Sequence, residues 1–304
     1  MNQNTLDYLR LHFIVLIWGF TAILGELIKV SPVEVVVYRT GISTLGLMVL
    51  LLILRKSFKT GRKGLMIMLG TGLIIAAHWI LFFLAARLST ISICLVGMAT
   101  CAFWTSILEP IFTKRTFKTF EVLLALMVVG GISLIYSVSF EYAQGLSVAM
   151  ASALLASVFT IINGKLIKEH NAYVITFYEM AGALIGSTLV FAVMAPMTPD
   201  ISFGLPSAAD WGWLALLGLV CTVYPFGESV ELMKRMSAYT INLTVNLEPV
   251  YGIILALLIF KDKEVMSTGF YMGAAIILLS VMIHPVLERR ARKRNARVEA
   301  SPQA

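Results

Sequence analysis

The sequence predicts an all-α membrane protein with ten transmembrane helices, arranged as an inverted repeat of two five-helix halves. Three observations lead to this fold class. The 304 residues are 59% hydrophobic and only 13% charged, whereas soluble domains are about 25% charged. The mean hydropathy of +0.87 is typical of a chain that lies in lipid. The hydrophobic residues form continuous runs, which argues against the alternating strands of a transmembrane β-barrel.

The apolar runs follow one another along the chain with short connections. Each is long enough for a membrane-spanning helix, which needs about 20 apolar residues. The runs lie at about 11–28, 33–54, 65–86, 91–112, 120–138, 144–166, 172–195, 211–230, 239–260 and 266–287. We therefore predict three regions: a first five-helix repeat over 1–140, a second over 141–288, and a basic cytoplasmic tail over 289–304.

Basic residues are distributed unevenly among the connections. With the N-terminus placed inside, 19 of the 24 Lys and Arg residues lie in inner segments and four in outer ones. Arg39 lies within the second run. Because cytoplasmic loops are enriched in Lys and Arg, the pattern predicts a multi-pass protein of the plasma (bacterial inner) membrane with both termini cytoplasmic. The stretch from Pro196 to Asp210 contains no basic residue, which fits an outer loop.

Several function classes are excluded by the same residues. The net charge of +7 lies in loops and in the tail without interleaved aromatic residues, so we expect contact with lipid headgroups and no nucleic-acid partner. The three cysteines lack metal-ligand spacing, and we expect no metal and no cofactor. No Walker-type phosphate loop, HExxH or G-x-S-x-G occurs, which argues against ATP-driven transport and against an enzyme with catalytic residues.

Short identities between the halves support the repeat. Five helices are an odd number, so the second half would be inserted in the opposite direction, an architecture common among secondary transporters. Tyr38-Arg39 matches Tyr178-Glu179 in the seventh run, and Arg87-Leu88-Ser89 matches Arg235-Met236-Ser237 at an offset of 148.

A third identity, between Leu108-Glu109-Pro110 and Leu247-Glu248-Pro249, has a different offset of 139. With the offset of 148, Pro249 instead pairs with Cys101. Glu248 lies near mid-membrane, whereas Glu109 lies near the cytoplasmic end of its run. We therefore expect different roles for the two glutamates.

The chain resembles an EamA-type member of the drug/metabolite transporter superfamily over all ten runs. The resemblance rests on Trp18-Gly19, Arg39, the Arg-Leu-Ser link after the third run, and the segment from Ser237 through Asn242, Asn246 and Leu247-Glu248-Pro249 to Glu264 and Gly269. It implies a ten-helix exporter or permease whose cavity is lined mainly by runs 3, 4, 8 and 9, with contributions from runs 1 and 6. Cys101 stands where the family usually has a proline, so a hinge in run 4 does not follow from the resemblance.

Few ionisable groups are predicted inside the membrane, where a charge costs about 2.5–3.5 kcal/mol. All four aspartates, Asp7, Asp200, Asp210 and Asp262, are expected outside the spans. Glu248 is the candidate for proton coupling because burial disfavours the charged form of a carboxyl group. The alternative is a structural glutamate that holds helices together. The candidates for substrate binding are polar and aromatic residues within the runs: His78, Trp79, Trp104, Tyr224, Asn242, Asn246 and Tyr251.

Each of these candidates has a structural alternative. His78 is equally well explained by a hydrogen bond between helices, and the aromatic residues by packing. We assign gating or structural roles to Arg39, Glu109, Glu179 and Pro249. For Arg39 we favour a clamp to backbone carbonyls or to Glu34 over attraction of an anionic substrate group. Glu109, Glu228 and Glu231 form a hypothetical inner gate with Lys114 or Arg235.

The sequence therefore predicts a secondary transporter of small organic metabolites, such as amino acids, working by alternating access. Proton coupling is an open alternative within this prediction. The expected partners are a small-molecule substrate and membrane lipids, and we expect a monomer because GxxxG motifs such as Gly182–Gly186 usually pack helices within one chain. An intramembrane enzyme and a channel-like protein are the competing functions.

Overall fold

The computed structural model describes residues 3–113, 119–197 and 205–299. All regular structure within these ranges is helical. The α-helices are α1 (Gln3–Gly19), α2 (Thr21–Leu27), α3 (Pro32–Ile53), α4 (Arg62–Leu88), α5 (Ile91–Met98), α6 (Cys101–Thr113), α7 (Thr119–Val138), α8 (Ala143–Leu166), α9 (Ala172–Met194), α10 (Ala208–Ala215), α11 (Tyr224–Leu232), α12 (Ala238–Val245), α13 (Glu248–Phe260) and α14 (Thr268–Glu299). A π-helix covers Leu216–Val223, and 3₁₀ turns cover Phe140–Tyr142 and Lys261–Glu264.

These helices reproduce the ten predicted runs. Among the described residues, eight stretches are long and apolar enough to cross a membrane: Gln3–Leu27, Pro32–Ile53, Arg62–Leu88, Ile91–Phe112, Phe140–Leu166, Ala172–Met194, Ala208–Leu232 and Ala238–Phe260. Leu126–Val138 and Thr268–Ser280 are shorter apolar helices. The all-α membrane fold is thus confirmed. The last helix continues through the first part of the predicted tail, to Glu299.

Two sets of connections mark the two ends of the bundle. At one end, Arg87 Nη2 donates to the carbonyl oxygens of Ile28, at 3.1 Å, and Val30. Glu264 accepts from the backbone N–H groups of Ile91 and Ser92, at the start of α5, at the same end. We call this the Glu264 end. At the opposite end the α3–α4 connection meets the α8–α9 region, where Tyr178 Oη donates to Phe58 O at 2.8 Å, and Arg235 lies in the α11–α12 connection. We call this the Arg235 end.

Side-chain caps explain where several helices begin. Ser31 and Glu34 form a capping box in front of Pro32, with Ser31 N donating to Glu34 Oε2 at 2.9 Å. Ser207 and Asp210 form the corresponding box at α10. Such caps satisfy the backbone N–H groups that a helix start leaves without partners.

The expectation that every aspartate lies outside the spans is wrong for Asp7 and Asp210. Both are buried within spanning helices, near their ends. Asp7 is compensated by a two-pronged ion pair from Arg235, with N–O distances of 2.6 and 2.8 Å, and Asp210 Oδ1 accepts from Lys29 N at 2.9 Å. A buried carboxylate is tolerated when such partners replace its water. Asp262 lies in the 3₁₀ turn after α13, and Asp200 lies outside the described residues.

We call the ten helical segments that correspond to the ten predicted runs rods, numbered in chain order. Three of these rods are interrupted. The first rod breaks at Phe20, the fourth at Ala99–Thr100 and the ninth at Asn246–Leu247. The fourth rod thus breaks although it has Cys101, and no proline, at this point. Instead, Thr100 uses both its backbone N–H, at 3.1 Å, and its hydroxyl, at 2.7 Å, to bond the Gly97 carbonyl, which replaces the regular helical bonding locally. Equivalent rods of both halves therefore carry a break.

The two halves pack closely against each other through small residues. α4 of the first half lies against α8 and α9 of the second. Gly182 on α9 faces the backbone of Leu69 so closely that a Cβ atom there would clash with it. The GxxxG motif of α9 thus serves packing within the chain, as expected for a motif of this kind.

Candidate functional site

A cavity lies between the halves, at the level of the helix breaks, with a volume of about 90 Å³. One water needs about 10–15 Å³ by the same measure, so the cavity holds a group of roughly the size of a small amino acid. Its walls come from seven of the rods: Trp18, Thr21, Arg39, His78, Trp79, Phe82, Met98, Cys101, Ala156, Phe159, Thr160, Asn163, Phe226, Ser229, Val230, Met233, Ile241, Asn242, Val245, Asn246, Glu248 and Pro249. These are the runs that the resemblance implies, with Arg39 of the second run in addition.

Seven of the twelve predicted site residues line this cavity, and five do not. Those in the lining are Arg39, His78, Trp79, Asn242, Asn246, Glu248 and Pro249. Those elsewhere are Trp104, Glu109, Glu179, Tyr224 and Tyr251.

Glu248 and Asn246 flank the break in the ninth rod. Glu248 begins α13, is 7% exposed, and makes no hydrogen bond to the rest of the described chain. Asn246 is 2% exposed, and neither its amide nitrogen nor its amide oxygen finds a partner among the described residues. An unpaired buried polar group costs about 1–3 kcal/mol. The break therefore presents a carboxyl group and an unsatisfied amide to the cavity.

Asn242 and His78 are held in place by hydrogen bonds between helices. Asn242 Nδ2 donates to Thr105 Oγ1 of α6 at 2.8 Å. His78 Nδ1 lies 2.9 Å from the carbonyl oxygen of Ser152 on α8, and Ser152 Oγ donates to the His78 carbonyl at 2.8 Å. Since a carbonyl only accepts, Nδ1 carries the hydrogen and Nε2 of the neutral ring is an acceptor. His78 thus bridges two helices, as its structural alternative expected, and it also lines the cavity. Its contact with a substrate stays a prediction.

Arg39 does not form the expected clamp. The structure shows no bond from its guanidinium to Glu34 or to a backbone carbonyl among the described residues. Instead Arg39 Nε donates to Thr222 Oγ1 at 2.9 Å, and the guanidinium carbon lies 3.7 Å from the centre of the Trp79 ring. Glu34 is already engaged in the capping box of α3. Arg39 is therefore held by Thr222 and Trp79 in the cavity wall.

The scan against protein-family models matches the EamA-like transporter family at residues 8–137 and again at 143–284. The chain belongs to this family. It is therefore an integral membrane transporter of the drug/metabolite transporter type, and the family match in two successive segments fits a two-half inverted repeat.

The comparison with solved structures supports the fold of this EamA-like transporter. In all, 29 chains match. One, described only as "Crystal structure of protein", aligns with a TM-score of 0.69 and 16% sequence identity, covering 94% of this chain and 99% of its own. An identity this low shows the shared fold alone. The comparison with curated proteins finds no match.

Three predicted aromatic residues of this EamA-like transporter lie away from the cavity. Tyr224 is 40% exposed and contacts Phe13 edge to face. Tyr251 packs against α1 beside Gly19. Trp104 stacks edge to face on its neighbour Phe103, with the ring centres 4.9 Å apart. Depth along the helix was the only sequence signal for these residues, and depth does not tell which face of a helix meets the cavity.

The predicted inner gate is wrong in pairing Glu228 and Glu231 with Arg235. Arg235 binds Asp7, and this hydrogen bond raises the pKa of Arg235. Glu228 binds Arg10 at 3.2 Å, and Glu231 binds Lys234 at 2.6 Å. Glu228, Glu231 and Arg235 therefore each have a partner outside the predicted gate. Glu109 lies in the last part of α6, and Lys114 lies outside the described residues.

Glu179 is fully buried in α9, beside the cavity but separated from it by Asn163. Asn163 Nδ2 donates to Glu179 Oε2 at 3.3 Å. Sequence analysis missed Asn163, although a polar residue inside an apolar run is the signal that singled out Asn242 and Asn246. It also missed Phe159 and Phe226, which the sequence does not distinguish from other apolar residues. Among the described residues, no group of three or more His, Cys, Asp or Glu side chains could hold a metal ion.

Proposed function

We propose that this EamA-like transporter is a secondary carrier that exports a small amphipathic organic metabolite, such as an amino acid, by alternating access. The observation that carries the proposal is the unsatisfied amide of Asn246 in a buried cavity at a helix break. A ligand with both a donor and an acceptor would satisfy this amide. The aromatic walls formed by Trp79, Phe159 and Phe226 suit an apolar side chain.

The proposed direction of transport follows from the difference between the two ends of the bundle. The cavity lining reaches Met233, two residues before Arg235. At the Glu264 end, by contrast, Arg87 donates hydrogen bonds to Ile28 and Val30, and Glu264 accepts them from Ile91 and Ser92. We place the Arg235 end and both termini in the cytoplasm of the bacterial inner membrane, as the distribution of basic residues favours. Substrate would then enter from the cytoplasm.

Proton coupling through Glu248 belongs to the same proposal. Its carboxyl group lines the cavity at the break between α12 and α13. A proton bound there in one facing state and released in the other would couple transport to a proton gradient. The two repeats, 1–140 and 141–288, would rock against each other around this site within a monomer.

Counterflow in proteoliposomes tests the proposal. Vesicles loaded with each of the common amino acids are given external labelled amino acid, with and without a pH gradient. We expect saturable exchange that Asn246→Ala reduces at least tenfold and that the exposed control Tyr224→Phe leaves unchanged. Glu248→Gln should retain exchange but lose the response to the gradient. Large non-saturating flux would indicate a channel, and exchange equal to that of empty vesicles would contradict the carrier.

A further inference from the structure

Arg39 carries a buried positive charge for which the described chain offers no anionic partner at contact distance. The residue is 3% exposed. None of its guanidinium nitrogens lies within 4.0 Å of a carboxylate among the described residues, and the bond from Nε to Thr222 is its single side-chain hydrogen bond there. A buried charge is costly unless it is paired. Both terminal Nη groups therefore remain available to a ligand.

The guanidinium is held in one plane by its neighbours. Its face lies on the Trp79 ring at 3.7 Å, a cation–π arrangement that fixes its orientation. Its Nε is fixed at 2.9 Å by Thr222 Oγ1. The Thr222 hydroxyl donates its own hydrogen to Leu217 O at 2.8 Å, so its oxygen can only accept from Arg39. The edge that carries the Nη groups is thus left free in a defined direction.

The π-helix makes this arrangement possible. The Thr222 hydroxyl bonds the carbonyl five residues earlier, within a turn whose backbone bonds have the same five-residue spacing. The wider turn also leaves carbonyl groups for other partners: Ser43 Oγ donates to Gly218 O at 2.9 Å, and Trp18 Nε1 donates to Cys221 O at 3.2 Å. π-helical turns often occur at functional sites. Here the π-helix accepts hydrogen bonds from Trp18 of the first rod and Ser43 of the second, and it also carries Thr222, which binds Arg39.

We propose that Arg39 is the anchor for a carboxylate group of the transported metabolite, with Thr222 as its positioning residue. The inference rests on the proposed carrier function and narrows its substrates to carboxylates. Two parallel bonds from Nη1 and Nη2 to the two carboxylate oxygens match guanidinium geometry. Glu248 lines the same cavity, so an amino acid would bring its ammonium group to a site that already holds a carboxyl group.

Fragment binding tests the anchor without knowledge of the substrate. Thermal unfolding of the purified protein is followed at constant ionic strength with butyrate or with butyramide, which has the same shape without the charge. We expect butyrate to raise the Tm of the native protein in a saturable manner and butyramide to have no effect. Arg39→Gln should abolish the butyrate shift. Arg39→Lys should weaken butyrate binding at least tenfold, because an ammonium cannot form the two parallel bonds.

Thr222 provides a second readout that a merely structural role would not give. Thr222→Val should weaken butyrate binding about tenfold, whereas Thr222→Ser should restore it because the hydroxyl is kept. Tyr224→Phe is the matched control in the same rod. No saturable butyrate shift in the native protein, or an equal shift with butyramide or in Arg39→Gln, would overturn the anchor. Amino-acid exchange in the counterflow assay alongside that result would leave the carrier function standing.

Discussion

Glu264 accepts three hydrogen bonds at the end of the bundle that is named after it. We predict that replacing Glu264 by glutamine opens this end. The side chain is buried in the turn between α13 and α14. Its Oε1 accepts from Ile91 N at 3.0 Å, and its Oε2 accepts from Ser92 N at 2.9 Å and from Ser92 Oγ at 2.7 Å. These N–H groups begin α5, where a helix favours negative charge. The carboxylate therefore joins the second half to the first.

The size of the effect follows from these bonds. Hydrogen bonds to a charged group contribute about 1.5–3 kcal/mol and neutral ones about 0.5–1.5 kcal/mol. Glu264→Gln keeps one acceptor oxygen. Its NH₂ group, a donor, would replace the other oxygen and would face donors of Ile91 or Ser92. Weakening three bonds and breaking at least one of them costs the closed state about 2–4 kcal/mol by those values. If opening separates the two segments, the open population rises at least about 30-fold, until it saturates.

Cys101 reports the open population. It is buried in the cavity wall, so a membrane-impermeant thiol reagent applied at the Glu264 end reaches it when that end opens. The other two cysteines, Cys94 and Cys221, are replaced by alanine. The labelling rate in right-side-out vesicles should rise about 30-fold in Glu264→Gln. Glu26→Gln is the matched control, because Glu26 and Glu264 line one cleft at the Glu264 end and Glu26 is exposed.

Two outcomes would refute this reasoning. One is an unchanged labelling rate in a folded Glu264→Gln protein, which would mean that the three bonds persist when the end opens. The other is an equal rise in Glu26→Gln, which would indicate a general effect of negative charge in the cleft. Labelling from inverted vesicles shows whether Cys101 becomes less accessible from the Arg235 end, as a two-state exchange requires.

Two further predictions concern stability. Gly182→Val should lower the free energy of unfolding by about 2 kcal/mol or more, as overpacking does, because its Cβ would meet the Leu69 backbone. Gly130→Val should have no such effect on the Tm or the folded yield, since a Cβ there meets nothing within 4 Å. Equal losses in the two variants would contradict the packing argument. Asp7→Asn should destabilise the protein by about 1–3 kcal/mol, because the buried Asp7 side chain loses its charge-assisted bonds to Arg235. Lys234→Ala, which breaks an exposed pair, should change stability by under about 1 kcal/mol. Thermal unfolding that ranks the two variants in the other order would refute the difference.

The sequence predicted the fold well because membrane hydrophobicity is read from continuous runs. The ten runs, the repeat and the family all depend on features that span about 20 residues, and errors of a few residues do not alter them. The separate depths of Glu109 and Glu248 also followed from counting residues along a helix. Such counts need no knowledge of tertiary packing.

The site was predicted less completely because its membership depends on helix rotation and local breaks. Tyr224 and Phe226 are two residues apart in one rod, yet Tyr224 is exposed and Phe226 lines the cavity. The π-helix rotates the residues that follow it about the helix axis, and no residue pattern in Leu216–Val223 predicts a π-helix. Likewise the partner of Arg39 is Thr222, 183 positions away, which a repeat-based comparison does not suggest.

The π-helix of the eighth rod also sets the two halves apart. Its counterpart in the first half, α4, runs as an uninterrupted α-helix from Arg62 to Leu88. If the halves were identical, exchanging their conformations would convert the inward-facing form into the outward-facing form at no cost in free energy. A π turn in one half removes that degeneracy. In the proposed carrier, a resting preference for one side of the membrane would then be an intrinsic property of this chain, present before any substrate or gradient acts on it.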